Sequence, residues 1–512
     1  MNRMGVSAVS SVSLLMGLAA VRLAIQFAGI NNYGFFRDEL YYMACGEHLA
    51  WGYVDQPPLI ALIVWLARHT MGDSMLALRL LPALSGTALV FLTGTLAREL
   101  GGSRFAQLLA ATAVLFAPAY LAFDGFLSMN AFEPLFWMVC AILAVRIIKG
   151  DSAKLWIAFG LVAGIGLENK HTMLLFGFGL IAGLLLSGHA KILGSRWIWI
   201  GGAVALVIFL PNLIWEARHG WPQIEVVRNA QQFKNVTIGP FGFLWDDVLF
   251  LHPIALPIWG SGLVWLLFAS EGKRYRFLAF TFLVVLAVFL FLRGKSYYAL
   301  PAYPLLLAAG GVALENYFAR PKLAWLKTAY PALLVIGGLV TVPFGVPVLP
   351  VDTFLRYSRS LPYASEVKTE RDATAALPQL YADMFGWDTM AATVASVYHA
   401  LPAGEQSDCA ILAGNYGEAG AIDYYGPKLG LPKALSGHNS YFHWGPRDYS
   451  GSCVIVFGER SNEFKSLFAE SEIVAIASNP HGMPNEQRVP IYLCRKPSAP
   501  LAELWPHFKM II

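Results

Sequence analysis

Between residues 1 and 350 the chain keeps returning to apolar runs about as long as a bilayer-crossing helix, which takes about 20 residues to span roughly 30 Å of hydrocarbon. Such segments lie near 9–29, 76–97, 105–122, 131–148, 197–214, 248–269, 277–293, 298–314 and 328–347. Two shorter ones, 155–167 and 172–187, flank Glu168-Asn169-Lys170-His171. Charge is scarce in the same region: 40 charged side chains in the first 350 positions, against 30 in the 162 positions that follow. Overall 14% of residues are charged, where a soluble domain carries about 25%, so a wholly soluble protein is excluded. The first 350 residues, formally +8, read as membrane-embedded, and residues 351–512, formally −4, as a water-exposed domain. The aromatic and aliphatic content excludes disorder, the 47 Gly and 29 Pro show no period, and five cysteines are too few for a disulfide scaffold. The first run, Val9 to Ile30, is not followed by a small-residue cleavage site and a polar mature chain, and is expected to be a retained helix.

Eleven spans threaded from an inner N-terminus give inner loops that are all basic: Arg98 and Arg104; Arg146, Lys149 and Lys154; Lys191 and Arg196; Lys273, Arg274 and Arg276; Arg320, Lys322 and Lys327. That is the positive-inside pattern. Of the 16 acids in this region 12 then fall outside, and the odd span count puts the C-terminal domain on the same outer face. The short 155–187 hairpin is open to two readings, a bent span pair or a re-entrant element.

Three outer stretches carry candidate chemistry. The first runs Arg37-Asp38-Glu39-Leu40-Tyr41-Tyr42 and on to Trp51-Gly52-Tyr53-Val54-Asp55-Gln56-Pro57-Pro58, and its apolar spacing suits a helix lying at the interface. Neighbours on a helix do not face each other, so Asp38 and Glu39 can serve different partners: one as a general base for a hydroxyl, the other to orient a neighbour. Capping of that helix by its first-turn acids is the competing reading. In the second stretch, Asp124 to Pro134, Asn130 and Glu133 share a face, and an acid near the membrane surface points to function; taken alone, the spacing is better explained by an N-cap with its capping-box partner. The third, Arg293-Gly294-Lys295-Ser296-Tyr297-Tyr298, puts cations where the positive-inside trend disfavours them. That suits a bound anion, with snorkelling to lipid head groups as the alternative.

Taken in order, Arg37-Asp38-Glu39, Asp55-Gln56-Pro57-Pro58, Ser128 to Pro134, Asn169-Lys170-His171 and Gly294 to Tyr298 with Pro301 and Pro304 resemble the bacterial glycosyltransferase family 39 group. That group is related to protein O-mannosyltransferases and the lipid A aminoarabinose transferase, which share the GT-C fold; the similarity covers about the first 350 residues. The resemblance implies a GT-C-like domain over 1–350; with the eleven spans and the juxtamembrane helices near 37–72, the chain is expected to be a multi-pass α-helical membrane protein with a soluble α/β domain over 351–512. The resemblance also implies an inverting glycosyltransferase that takes a sugar from a polyprenyl-phosphate donor on the outer face of the cytoplasmic (inner) membrane. Asp38 matches the family's base, with Glu39 beside it placing the acceptor. Lys295, Tyr297, Tyr298, Lys170, His171 and Arg37 are expected at the donor phosphate and lipid, and Asp55, Gln56, Asp124, Asn130 and Glu133 at the acceptor or sugar. The family often presents an Asp in the second outer loop where this chain has Asn130, so a divalent metal is not supported and no cofactor is assigned. The expected partners are the bilayer, the lipid-linked donor, and a glycolipid, polysaccharide or protein acceptor, but not nucleic acid.

The stretch from Trp215 to Gly242, with Arg218, His219, Trp221, Arg228, Lys234 and Asn235, is long enough to be a lid, or a surface amphipathic helix. In the C-terminal domain the apolar runs 409–413, 453–457, 472–476 and 489–494 read as buried parallel strands. Gly414, Gly417 and Gly420 read as turn and packing residues, and a disulfide between Cys409 and Cys453 is allowed if their strands are adjacent. Cys140 is expected to pack inside a span. A transporter is the rival reading, in which Arg22 would line a path; it calls for internal repeats, and none is visible in the chain.

Overall fold

Each apolar segment named above folds as helix. The computed structural model describes residues 3–236, 238–361, 370 and 375–512, with side chains from residue 11 onward, so part of the expected C-terminal domain lies outside the described residues. In chain order the helices are α1 (Arg3–Gly29), α2 (Arg37–Glu47), α3 (Leu59–Met71), α4 (Met75–Glu99), α5 (Arg104–Phe116), α6 (Pro118–Phe123), α7 (Met129–Lys149), α8 (Leu155–Asn169) and α9 (Met173–Leu186). They continue with α10 (Arg196–Arg218), α11 (Pro222–Asn229), α12 (Pro240–Phe250), α13 (Leu256–Phe268), α14 (Arg276–Phe291), α15 (Tyr303–Phe318), α16 (Leu326–Gly345) and α17 (Val351–Arg359). Among the described residues seven helices are long and apolar enough to cross a membrane, or eight if α12 and α13, which meet at 101°, count as one. The expected spans near 105–122, 155–167 and 172–187 are shorter: α5, α8 and α9 have 13, 15 and 14 residues. At 1.5 Å per residue each reaches only about 20 Å. Pro118 forces Ala117 into extended backbone, which ends α5 and restarts the chain as α6.

Close approach of small residues sets the packing. A Cβ on Gly160 of α8 would collide with the Gly201 carbonyl of α10, and one on Gly310 of α15 with the Ile258 carbonyl of α13. The loops threaded together as inner do meet at one end of the bundle. Lys149 Nζ lies 2.6 Å from Glu99, Arg274 donates to the Ile148 carbonyl at 2.6 Å, and the Ser103 N–H donates to Glu315 at 2.8 Å.

The C-terminal domain packs against α2. Its five-stranded sheet has the order β2-β1-β3-β5-β4, with β1 (Cys409–Ala413), β2 (Leu435–Ser436), β3 (Cys453–Phe457), β4 (Phe468–Ser478) and β5 (Arg488–Pro497). β1 runs parallel to β2 and β3, but β5 is antiparallel to both β3 and β4, so the expectation of an all-parallel buried set is corrected. The short connection between β4 and β5 forms a hairpin rather than a crossover, and it leaves β4 at the edge with Ile473, Val474 and Ile476 exposed. β1 and β3 pair in register at Cys409 and Cys453, which form the disulfide. Alkylation is expected to label this pair only after reduction. In the folded protein the buried thiols of Cys45, Cys140 and Cys494 are expected to resist labelling throughout.

The three glycines after β1 are packing residues as expected. A Cβ on Gly414 would strike the Glu459 carbonyl, one on Gly417 the Arg37 side chain, and one on Gly420 the Leu40 backbone, so the Tyr416–Tyr425 helix lies directly on α2. One apolar core runs through both parts, from Leu40, Tyr41 and Met43 to Ile422, Tyr441 and Ile455.

Candidate active site

The α2 start separates the two neighbouring acids. Glu39 is 0% exposed. Its Oε2 accepts from the Phe36 N–H at 2.8 Å, capping the helix, and its Oε1 from the Leu127 N–H at 3.0 Å. Arg79 of α4 grips both oxygens, at 3.0 and 2.7 Å, and donates onward to the carbonyls of Ile30 and Gly34. A carboxylate so enclosed cannot approach a substrate hydroxyl, so Glu39 is corrected from site residue to structural strut tying α2 to α4. Asp38 points elsewhere: half-buried, it accepts from the Tyr416 hydroxyl at 2.9 Å. Beside it Arg37 pairs with Asp383 at 3.1 Å and reaches Glu486 at 4.0 Å. Burial pushes Asp383 up to about 7 even with Arg37 opposing.

Across from α2 lies the 3₁₀ segment Ser296–Ala302. The Ser296 hydroxyl donates to Asp246 at 2.9 Å and the Tyr303 hydroxyl to Asp247 at 2.8 Å, so Trp245-Asp246-Asp247 on α12 acts as the support of this turn. Arg293 turns the chain with φ 51°, in the left-handed region. Lys295 Nζ then lies 5.7 Å from the Tyr297 ring, Lys170 Nζ 4.8 Å from the Tyr298 ring, and the two rings are 4.8 Å apart. Two expected donor lysines, 125 positions apart in sequence, thus flank one tyrosine pair. Lys170 is held there by Asn130 and Glu133, each at 2.8 Å. Helix α7 begins at Met129 with Ser128 as its N-cap, so Asn130 and Glu133 are not the capping pair.

Lys295 is ion-paired at 2.5 Å with Glu370, which also meets Lys234 at 3.5 Å. Burial opposes the Lys295 charge, but Glu370, Tyr298 and Asp38 together outweigh it and hold the ammonium above its ordinary range. Lys234 brings the end of the Trp215–Gly242 stretch into the site, while α11 is tied to the C-terminal tail through Lys509 and Glu225 at 2.8 Å.

Three further expected residues do not join. His171 turns to Asn212 at 3.0 Å, which itself donates to the Trp51 carbonyl, so the pair fastens α10 to the α2–α3 connection. Gln56 is fully buried against Cys45 Sγ at 3.5 Å. Asp124 is ion-paired with Arg22 of α1, and Arg22 also donates to the Leu115 carbonyl at 2.6 Å. Both are buried, which removes Asp124 from a sugar site and Arg22 from any conduction path. Asp55 stays near the site: burial pushes it up to about 6, with Asp38 adding to the rise, and the Tyr41 hydroxyl donates to it at 2.7 Å. Glu370, Asp383 and Tyr416 were not legible in the sequence, since each reaches the site from the C-terminal part. Among the described residues no three His, Cys, Asp or Glu side chains gather in a way that could hold a metal ion.

The fold matches a known architecture. ArnT from Cupriavidus metallidurans, solved bound to undecaprenyl phosphate, superposes with a TM-score of 0.62 at 15% identity, covering 94% of this chain and 98% of that one. It has the GT-C fold. The oligosaccharyltransferase of Archaeoglobus fulgidus shares this GT-C fold with the chain at a TM-score of 0.50 and 12% identity, over 82% of this chain and 64% of that one. Residues 55–215 match the dolichyl-phosphate-mannose-protein mannosyltransferase family, a range holding Asn130, Glu133 and Lys170 but neither Asp38 nor Lys295. The lipid A galacturonosyltransferase RgtD of Rhizobium johnstonii is 29% identical over 192 residues, 36% of this chain and 39% of that protein. The chain therefore spans well under half the length of this relative.

Proposed function

We propose that this GT-C protein transfers a sugar from a polyprenyl-phosphate donor to an acceptor hydroxyl at the outer face of the cytoplasmic membrane, with inversion. The observation that carries the proposal is the placement of half-buried Asp38 within electrostatic reach of Lys295. A carboxylate and an ammonium this near each other support the reading of a base and an anion site serving one reaction. Asp38 accepts the acceptor's hydroxyl proton as its oxygen attacks the anomeric carbon. The bond to phosphate breaks on the opposite side, and Lys295 stabilises the charge that develops on the departing polyprenyl phosphate. The Tyr297–Tyr298 pair packs on the lipid, and Lys170, fixed by Asn130 and Glu133, keeps the second cation in place. The similarity to a lipid A transferase favours a glycolipid acceptor.

Replacing Lys295 with Ala is expected to weaken binding of undecaprenyl phosphate by about tenfold or more, the scale of one charge-assisted contact. Titration of the full-length protein in nanodiscs measures it. Unchanged affinity would place the anion site elsewhere.

A further inference from the structure

We propose that Glu370 is an internal counter-anion that holds the Lys295 and Lys234 ammonium groups until the donor's phosphate displaces it. This rests on the donor site described above and adds a competitor built into the chain. Glu370 reaches Lys295 at 2.5 Å and Lys234 at 3.5 Å, and its other oxygen accepts from Gln379 at 2.9 Å. Its backbone bridges to Asn235, next to Lys234. It is about nine-tenths buried, and Arg37 lies within electrostatic reach on the α2 side. One carboxylate thus occupies the point on which two lysines converge, with Arg37 adding at longer range, where a phosphate monoester would find a favourable field.

Arg37 is balanced by Asp383 and Glu486, but two part-buried lysines this close would be costly without a compensating charge of their own. Glu370 supplies that charge while no phosphate is bound. A phosphate carries more negative charge and more acceptor oxygens, so it replaces one carboxylate without leaving the lysines unpaired. The exchange breaks two ion pairs and forms two, with no covalent step. Its consequence is selectivity: a ligand must be a strong anion to enter, and a neutral polyprenol gains nothing by displacing Glu370.

The test is equilibrium binding of undecaprenyl phosphate to the full-length protein in nanodiscs, comparing wild type with Glu370→Gln, Lys295→Ala and the double variant. Glu370→Gln is expected to bind about tenfold more tightly, because the competitor is gone, and the gain is expected to vanish in the Lys295→Ala background. Affinity that is unchanged or weaker in Glu370→Gln overturns the proposal, while loss of binding in Lys295→Ala in the same series leaves the donor site standing. If Lys295→Ala has no effect, the donor site and the counter-anion fall together. Should Glu370→Gln fail to fold, Gln379→Leu removes the amide that orients Glu370 and keeps every charge. It is expected to tighten binding about threefold, and no tightening there overturns the proposal equally.

Discussion

Asp38→Asn is expected to lower transfer by about 10²–10⁴-fold, the contribution of a positioned general base, while leaving folding and donor binding in place. The amide fills the same volume and can still meet the Tyr416 hydroxyl, which hydrogen-bonds Asp38 at 2.9 Å. What it loses is the ability to take a proton. The loss should therefore appear in turnover, with binding of undecaprenyl phosphate within about twofold of wild type. An Asp38→Asn enzyme with near-wild-type turnover would remove Asp38 from the chemistry. Tyr416→Phe separates positioning from proton transfer: it keeps the carboxylate and removes the hydroxyl that orients it, so a smaller loss is expected, together with a shift in the pH profile of turnover.

The cation that holds the neighbouring acid, Glu39, should behave in the opposite way. Arg79→Ala is expected to destabilise the fold by about 3–5 kcal/mol, because it leaves the buried Glu39 carboxylate without its cation. Arg79 is 1% exposed and Glu39 0%, and Arg79 makes four hydrogen bonds that join α4 to α2 and to the α1–α2 connection. Thermal denaturation of the purified protein measures the effect. A variant with unchanged stability would mean that the buried pair contributes little to holding α2 in place. Asp38 and Glu39 are adjacent in sequence, yet one variant is expected to abolish activity in a stable protein and the other to remove stability first.

That division was only half visible in the sequence. The spacing of apolar residues after Asp38 made a surface helix legible, and the two acids in its first turn allowed both catalysis and capping. Sequence could not assign the roles, because the deciding partner of Glu39 is Arg79, 40 positions on, and that of Asp38 is Tyr416, 378 positions on. The same limit explains Asp124. Its neighbours in sequence suggested a sugar site, but Arg22, 102 positions earlier, neutralises it inside the bundle.

Local pattern sufficed where the physics is local. The long apolar runs became α1, α4, α7, α10, α14 and α16, and the runs beginning at Cys409 and Cys453 became β1 and β3, adjacent and disulfide-linked. The run at 472–476 failed because an apolar pentapeptide does not reveal whether its strand lies inside a sheet or at the edge; β4 is at the edge. Lys295 was legible as a cation where the positive-inside trend disfavours one, and Lys170 as part of the Asn169-Lys170-His171 motif. Their convergence on one tyrosine pair, and the carboxylate of Glu370 between Lys295 and Lys234, required the fold.

The central claim is that Asp38 and Lys295 face each other across the reacting phosphate–sugar bond. A cryo-electron microscopy structure of the full-length protein in nanodiscs with undecaprenyl phosphate tests it most directly. The account predicts phosphate density within hydrogen-bond distance of Lys295 Nζ, with the lipid along Tyr297 and Tyr298 and the open side of the phosphate turned toward Asp38. Phosphate bound away from Lys295, or screened from Asp38 by protein, would contradict it.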